Sequence, residues 1–484
     1  MRGSVADDSA PRPIGSIDEL VADLEVACKP PTAFRVGAEH EKIGVLAESG
    51  APVPYEGPRS IARVLDGLIA TGGWAPVREA PTGPIIALTR DGASVSLEPG
   101  GQLELSAAPH ARGVTTEDDL RRHLDELFQV SRPLGIAWLG LGFRPIGGLD
   151  DITWVPKRRY VVMREYLPTR ARRPHDMMKR TATVQANLDF ASEADAAAKL
   201  RAAFSVSSIV TALWACSPLE DGKDGGMQSV RAAVWLETDP DRCGLLPFAF
   251  EDRPIFRAYV DWALDVPMFF VVRKGEYHPA GGHTFRRFLA EGFEGERATH
   301  ADWQTHMSTL FPEARLRRYL EVRGADAGPL AMVRALPAFW KGLLYDADAC
   351  AQATALTAKL SMAQREELRR VIPRAGLAAP LPGVGTVLDG ARALVAIARA
   401  GLKRVAPEEL PALAAVEEVA STGRSPAEHV RDAFARGGIA GGLDEEFTPP
   451  PVSAPRKRPP TEIEITVDDD DDDDPSPIRR PTRR

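Results

Sequence analysis

Polar and apolar positions alternate with a period of two at four places along this chain, and each time the polar set carries carboxylates or amides. The first is Phe34 to Val45, FRVGAEHEKIGV, which puts Arg35, Gly37, Glu39, Glu41 and Ile43 on one strand face and Val36, Ala38, His40 and Lys42 on the other. Two carboxylates then point the same way. Like charges side by side raise each other's pKa and oppose folding unless a cation lies between them, so the pair is a candidate Mg²⁺ site; a solvated charged face is the alternative. His40 falls on the apolar side and reads as a structural histidine.

The pattern returns in SLEPGGQLELSAAP, Ser96 to Pro109, where Pro99-Gly100-Gly101 interrupts the strand after Glu98. It resumes with Gln102, Glu104 and Ser106 on one face against Leu103 and Leu105. A third strand, Thr183 to Phe190, sets Gln185, Asn187 and Asp189 opposite Val184, Ala186, Leu188 and Phe190. The fourth, Arg315 to Asp326, reads as one strand with Tyr319, Glu321 and Arg323 on one face and Leu320 and Val322 on the other. A carboxylate and a guanidinium two residues apart suit a site that holds a cation and an anionic transition state together. The set forms a sheet lined on its concave side with oxygen ligands, enough for two or three Mg²⁺ ions carrying a nucleoside triphosphate.

Between these strands the spacing predicts helices. One follows Ser16, with Glu19 at the capping-box position; others cover Ser60 to Ala70, Glu117 to Pro133 and Ser192 to Cys216. Ile85–Thr89 and Ala93–Leu97 should form a hairpin over Asp91-Gly92, Ile136 to Phe143 a buried strand, and the residues around Val234 another strand. From Leu330 to about Gly438 the pattern is helical, with a capping box at Ser425–Glu428 and Gly437 as the closing residue. The expected fold is α+β, an antiparallel sheet with flanking helices and a helical C-terminal part. Residues 1–15 should be a loose N-terminus, 16–447 one catalytic domain, and 448–484 a Pro-rich tail with seven successive aspartates between basic stretches.

The net charge of -8 and the lack of a recognised module argue against nucleic acid, despite the basic run from Lys157 to Arg180; an anionic small-molecule pocket suits that run better. There is no P-loop, no dinucleotide fingerprint and no nucleophile elbow. The four cysteines lie at no metal-ligand spacing, the N-terminus has no apolar core, and no run of about 18 uncharged apolar residues occurs. The expectation is a cytoplasmic protein, without a membrane span, as a monomer or homodimer. Arg159, Arg180, Arg231 and Arg323 are the candidates for bidentate recognition of carboxylates and phosphates.

GAEHEK (37–42), SLEPGGQLELSAAP (96–109), DMMKRTATVQANLDF (176–190), LDVPMFF (264–270), RRYLEVRGAD (317–326) and LPAFWKGLLYD (336–346) resemble, in order, the plant-type glutamate-cysteine ligases. The resemblance runs from about Ser16 to Phe447 and implies a sheet related to that of glutamine synthetase. It implies that ATP phosphorylates the glutamate side chain and that cysteine displaces the phosphate, giving gamma-glutamylcysteine. Glu39, Glu41, Glu98, Glu104 and Glu321 would be ligands of Mg²⁺ and ATP phosphates, with Gln102, Gln185, Asn187 and Lys157 lining the nucleotide site. Arg159 and Arg231, with Arg180 nearby, would hold the glutamate alpha-carboxylate, and Arg323 the transferring phosphoryl group, so that Glu39, Arg231 and Arg323 carry the catalysis. Phe269 stands where plant members have a tyrosine near the cysteine pocket, which keeps a ligase using another amine open as an alternative. A non-catalytic binding protein is a further alternative, opposed by the retained, mutually repelling carboxylates. The redox-active cysteine pairs of the plant enzymes would fall at Glu117 and Arg334, and at Ala280 and about Glu294. Neither disulfide can form here. Mild thiol reduction should therefore leave activity unchanged, as measured with and without reductant; a large reversible loss would contradict this.

Overall fold

A computed structural model describes residues 12–442. The first alternating stretch forms Val36–Leu46 (β1), the centre of a nine-stranded sheet. Its other members are Ala75–Arg78 (β2), Ile85–Arg90 (β3), Ala93–Leu97 (β4), Leu103–Ser106 (β5), Ile136–Leu139 (β6), Val184–Leu188 (β7), Ala314–Leu316 (β8) and Leu320–Val322 (β9). The spatial order is β8-β9-β7-β1-β5-β4-β3-β2, with β6 paired to the C-terminal end of β1. Every pairing is antiparallel. The register sets Glu39 between Ser106 and Gln185, Glu41 opposite Glu104, and Glu321 opposite Asn187. The acidic and amide residues of four strands thus share one face.

The other face is buried under the helices Leu330–Leu344 and Gly113–Ser131. His40 lies there, 2 % exposed, as its place in the alternation requires. Lys42 is fully buried beside it and donates to the His40 carbonyl oxygen at 2.8 Å. Burial pulls the Lys42 ammonium down to about 7, against the attraction of Glu104 and Glu41 across the strand.

Four local expectations need correction. Arg315 to Asp326 is not one strand: the chain reverses, with Arg317 N donating to Tyr319 O at 2.8 Å, so β8 and β9 form a hairpin and Arg315 pairs with Glu321. Leu316 and Leu320 are both fully buried while Arg318 is exposed, so reversal satisfies both leucines and leaves a cation in solvent at the turn. The residues around Val234 form the helix Val230–Trp235, started by Ser229, whose Oγ accepts from Ala232 N at 2.9 Å. Ser16 makes no cap bond; Glu19 Oε1 accepts from Gly15 N at 3.2 Å instead. The helix Pro426–Gly442 runs through Gly437 rather than ending there. The boundary at 447 and the acidic tail lie outside the described residues.

The hairpin of β3 and β4 forms as expected, with Asp91 and Gly92 both at positive φ, 49° and 82°. The helix Glu193–Leu213 is apolar and long enough to cross a membrane, but 78 % of its most apolar window is buried inside the fold, as in a core helix. Glu117 and Arg334, where the resemblance placed a cysteine pair, form an ion pair at 2.6 Å.

The break after Glu98 depends on close backbone approach. A Cβ on Gly100 would lie 2.2 Å from the Lys179 carbonyl oxygen, so only glycine lets this loop seat against the end of the helix Pro174–Arg180. Gln102 fastens it: its Oε1 accepts from Gly100 N at 2.9 Å and its Nε2 donates to Thr181 O at 2.8 Å. Gly100→Ala should lower stability by about 1–3 kcal/mol, an overpacking cost measurable in a urea titration. It should also displace Glu98 and lower activity more than the stability loss alone explains; an unchanged midpoint would refute the close-approach reading.

Candidate active site

The acidic face opens into a cavity of about 290 Å³. Its wall carries Glu39, Glu41, Glu98, Glu104, Gln102, Gln185, Lys157, Arg159, Arg231 and Arg323, brought together from β1, β5, β7, the loop after β4, the residue after β9, the start of the helix Arg158–Tyr166 and the helix Val230–Trp235. The carboxylates do not stand alone. Glu39 Oε1 accepts from Asn187 Nδ2 at 2.8 Å, and Glu41 Oε2 from Thr183 N at 3.0 Å. Glu104 is held between Ser96 and Ser106, whose hydroxyls donate at 2.8 and 3.0 Å. Glu41, Glu98 and Glu104 converge, each offering an oxygen within 4.8 Å of the others.

Burial and crowding raise several of these pKa values. Glu39 is pushed up to about 8, first by burial and then by the charges of Glu321 and Glu104. Glu41 rises well above the usual carboxylate range for the same first reason, then through Glu98 and Glu104. Glu98 is raised by burial and by Glu104, against the pull of Lys157 and Arg159. Glu321 goes the other way. Although burial disfavours its charge, the guanidinium groups of Arg315 and Arg323 hold it down to about 2.

The arginines differ in how much of their hydrogen-bonding capacity the protein uses. Arg159 has no hydrogen-bond partner among the described residues; its guanidinium carbon sits 6.0 Å from the Phe270 ring centre. Arg231 is buried, donates to Arg323 O at 2.9 Å, lies 3.8 Å from the buried Asp326 carboxylate, and has an unpartnered Nε. Arg323 uses one nitrogen, Nη1, on Gln185 Oε1 at 2.9 Å and on Glu321. Lys157 donates to Leu97 O at 2.6 Å.

Not every expected residue reaches the cavity. Glu321, fully buried, and Asn187 stand behind its wall and act on Arg323 and Glu39 respectively. Arg180 does not belong to it: it pairs with Asp176 at 3.1 Å and Asp221 at 2.7 Å, with its guanidinium 4.4 Å from the Phe143 ring centre, and borders a separate cleft. Phe269 is also outside. It is 2 % exposed, packed edge-on against Tyr166 with the Arg242 guanidinium 3.9 Å from its ring centre, because LDVPMFF runs into the core. Gln102 spends its amide on the backbone, so it holds the loop. Arg315 was missed; reading RLRRYLE as a hairpin, with two leucines inside and two arginines at the turn, would have set it opposite Glu321.

Residues 35–448 match the family model described as glutamate-cysteine ligase family 2. The chloroplastic glutamate-cysteine ligase of Arabidopsis thaliana is 44 % identical over 420 residues, 86 % of this chain and 79 % of that protein. Glutamate-cysteine ligase B of Oryza sativa subsp. japonica is 41 % identical over 86 % of this chain and 84 % of its own length. Among solved structures, a glutamate-cysteine ligase of Francisella tularensis in complex with AMP shares the fold, with a TM-score of 0.54 at 13 % identity over 85 % of this chain and 87 % of that one. The relatives from Arabidopsis thaliana, Brassica juncea, Nicotiana tabacum and Medicago truncatula are all named chloroplastic, which overturns the cytoplasmic expectation drawn from the cysteine usage. By the extent of the family match and the identity to these relatives, the chain belongs to glutamate-cysteine ligase family 2.

Proposed function

We infer that the carboxylate-lined cavity joins the gamma-carboxylate of L-glutamate to the amine of L-cysteine at the expense of ATP, the first step of glutathione synthesis. The family supports this reaction, and the observation that carries it to these residues is the convergence of acidic oxygens with unsaturated arginines in one cavity. The reaction has two steps. A glutamate carboxylate oxygen attacks the terminal phosphorus of ATP and ADP leaves; the cysteine nitrogen then attacks the acyl carbon, the C–N bond forms, phosphate departs with the C–O electron pair, and the ammonium loses a proton. Each step gathers negative groups at one point, so the protein's part is positioning and charge compensation.

Arg159, whose guanidinium the protein leaves unused, holds the glutamate alpha-carboxylate together with Arg231. Arg323 holds the transferring phosphoryl group with the nitrogens that Glu321 and Gln185 leave open. Glu41, Glu98 and Glu104 suit Mg²⁺: the donors are all hard oxygens, they converge, and their raised pKa values record repulsion that a cation would relieve. Glu39, on the same wall, would complete the set, whereas Glu321, behind the wall with its oxygens held by Arg315 and Arg323, would not. Bound there, Mg²⁺ would offset the phosphate charge of ATP.

Purified protein given ATP, Mg²⁺, glutamate and cysteine should release ADP in step with gamma-glutamylcysteine, and other amines should be poor acceptors; no ADP with any acceptor would refute the ligase. In the same assay Arg159→Ala should raise KM for glutamate roughly 10- to 100-fold, the worth of a charge-assisted contact, with kcat less affected.

Metal binding should depend on pH in a defined direction. Glu39 keeps its proton up to about 8 in the metal-free protein, so Mg²⁺ must displace that proton at lower pH. Affinity should therefore be weaker at pH 6.5 than at pH 8.5, by at most about tenfold per pH unit for each proton released. Calorimetry in two buffers of different ionisation enthalpy checks it; equal affinity without proton release would remove Glu39 from the metal set.

A further inference from the structure

We propose that Arg315 is a positioning residue of the ligase reaction, acting through Glu321 to aim Arg323. The inference rests on the ligase reading above. Arg315 borders the cavity, yet each of its guanidinium nitrogens is already engaged by the protein. Its Nε donates to Glu321 Oε2 at 3.2 Å, its Nη2 to both Glu321 oxygens at 2.9 and 2.8 Å, and its Nη1 to the carbonyl oxygens of Ser308 and Leu310 at 3.2 and 3.0 Å. These contacts engage all three guanidinium nitrogens. Its charge and its geometry are what it contributes.

The receiving group needs both. Glu321 is fully buried, and its carboxylate is bracketed by the guanidinium groups of Arg315 and Arg323. Without a fixed guanidinium gripping both of its oxygens, the Glu321 carboxylate would be free to turn away from Arg323. Arg323 would then lose its ionised anchor, and its Nη1 would be held only by Gln185. The relay has a rigid origin, because the Ser308 and Leu310 carbonyls that hold Nη1 flank a tight turn following the helix His300–Met307. It also has a rigid register, because Arg315 and Glu321 are direct partners across the hairpin. Arg323 ends the relay with Nε and Nη2 free of protein partners among the described residues, the opposite of Arg315.

Lysine at 315 keeps the charge but cannot span two carboxylate oxygens and two carbonyls at once. Arg315→Lys should lower kcat about a hundredfold, leave KM for glutamate within twofold, and leave the melting temperature within a few degrees. Arg315→Lys combined with Arg323→Lys should lose no more than Arg323→Lys alone, since one acts through the other. Arg315→Ala should recover part of its kcat on adding millimolar guanidinium. A multiplicative loss in the double variant, near-normal turnover of Arg315→Lys, or loss of rate and melting temperature together without guanidinium recovery would each overturn the proposal. Absence of ADP release by the unsubstituted protein would instead refute the ligase reading itself.

Discussion

Repulsion among carboxylates on one face of a sheet is the constraint the rest of this structure answers. Glu41 and Glu104 are direct cross-strand partners, and Glu39 and Glu98 crowd the same cavity. Two ionised groups about 4 Å apart repel by roughly 4 kcal/mol at the effective dielectric of a protein surface, comparable to a large share of a domain's net stability. A sheet built only for stability would not carry them. The fold therefore has to supply compensation, and it does so from three directions.

Below the sheet, Lys42 sits one position from Glu41 on the opposite face, a buried cation whose main electrostatic support comes from Glu104 and Glu41 through the strand. At one side, Lys157 and Arg159 enter from a helix and lower the cost of ionising Glu98. At the other, Arg315 and Arg323 bracket Glu321. Hydroxyl and amide donors add the finer adjustment, with Ser96, Ser106 and Asn187 each assigned to one carboxylate. The compensation is incomplete at Glu39, Glu41 and Glu98, and those are the groups whose pKa values rise. What is left over is the driving force for a cation to enter.

The sheet and its acidic face were legible because alternation is a local property. In β1, β5 and β7 the period of two states which residues share a face, and the register only brings those faces into line. The glycine break after Glu98 was legible for the same reason. Reversals within a short stretch were not. The hairpin of β8 and β9 keeps the alternation of a single strand, so nothing in the spacing alone separates the two, and Arg315 stayed hidden. The helix Val230–Trp235 is a turn and a half long, too short for its periodicity to show, and only Ser229 marks it. Arg180 and Phe269 show the limit for single side chains. Their types suit an anion and an aromatic substrate wall, but a helix end with Asp176 and a core run with Tyr166 claim them first.

Saturation separates these arginines better than charge or burial does. Arg180, Arg231 and Arg315 are all nearly inaccessible, and Arg159 and Arg323 only partly so, yet burial does not sort them by role. Arg315 spends every guanidinium nitrogen on the protein, on one carboxylate and two carbonyls, while Arg180 and Arg231 each spend both terminal nitrogens and leave only Nε without a partner among the described residues. Arg159 spends nothing and Arg323 spends one nitrogen. Every buried N–H left unspent is a cost to the resting protein, and an anion that arrives with its own oxygens offsets it. The open donors therefore mark where substrate charge is to land, and the saturated ones mark what holds those donors still while it does.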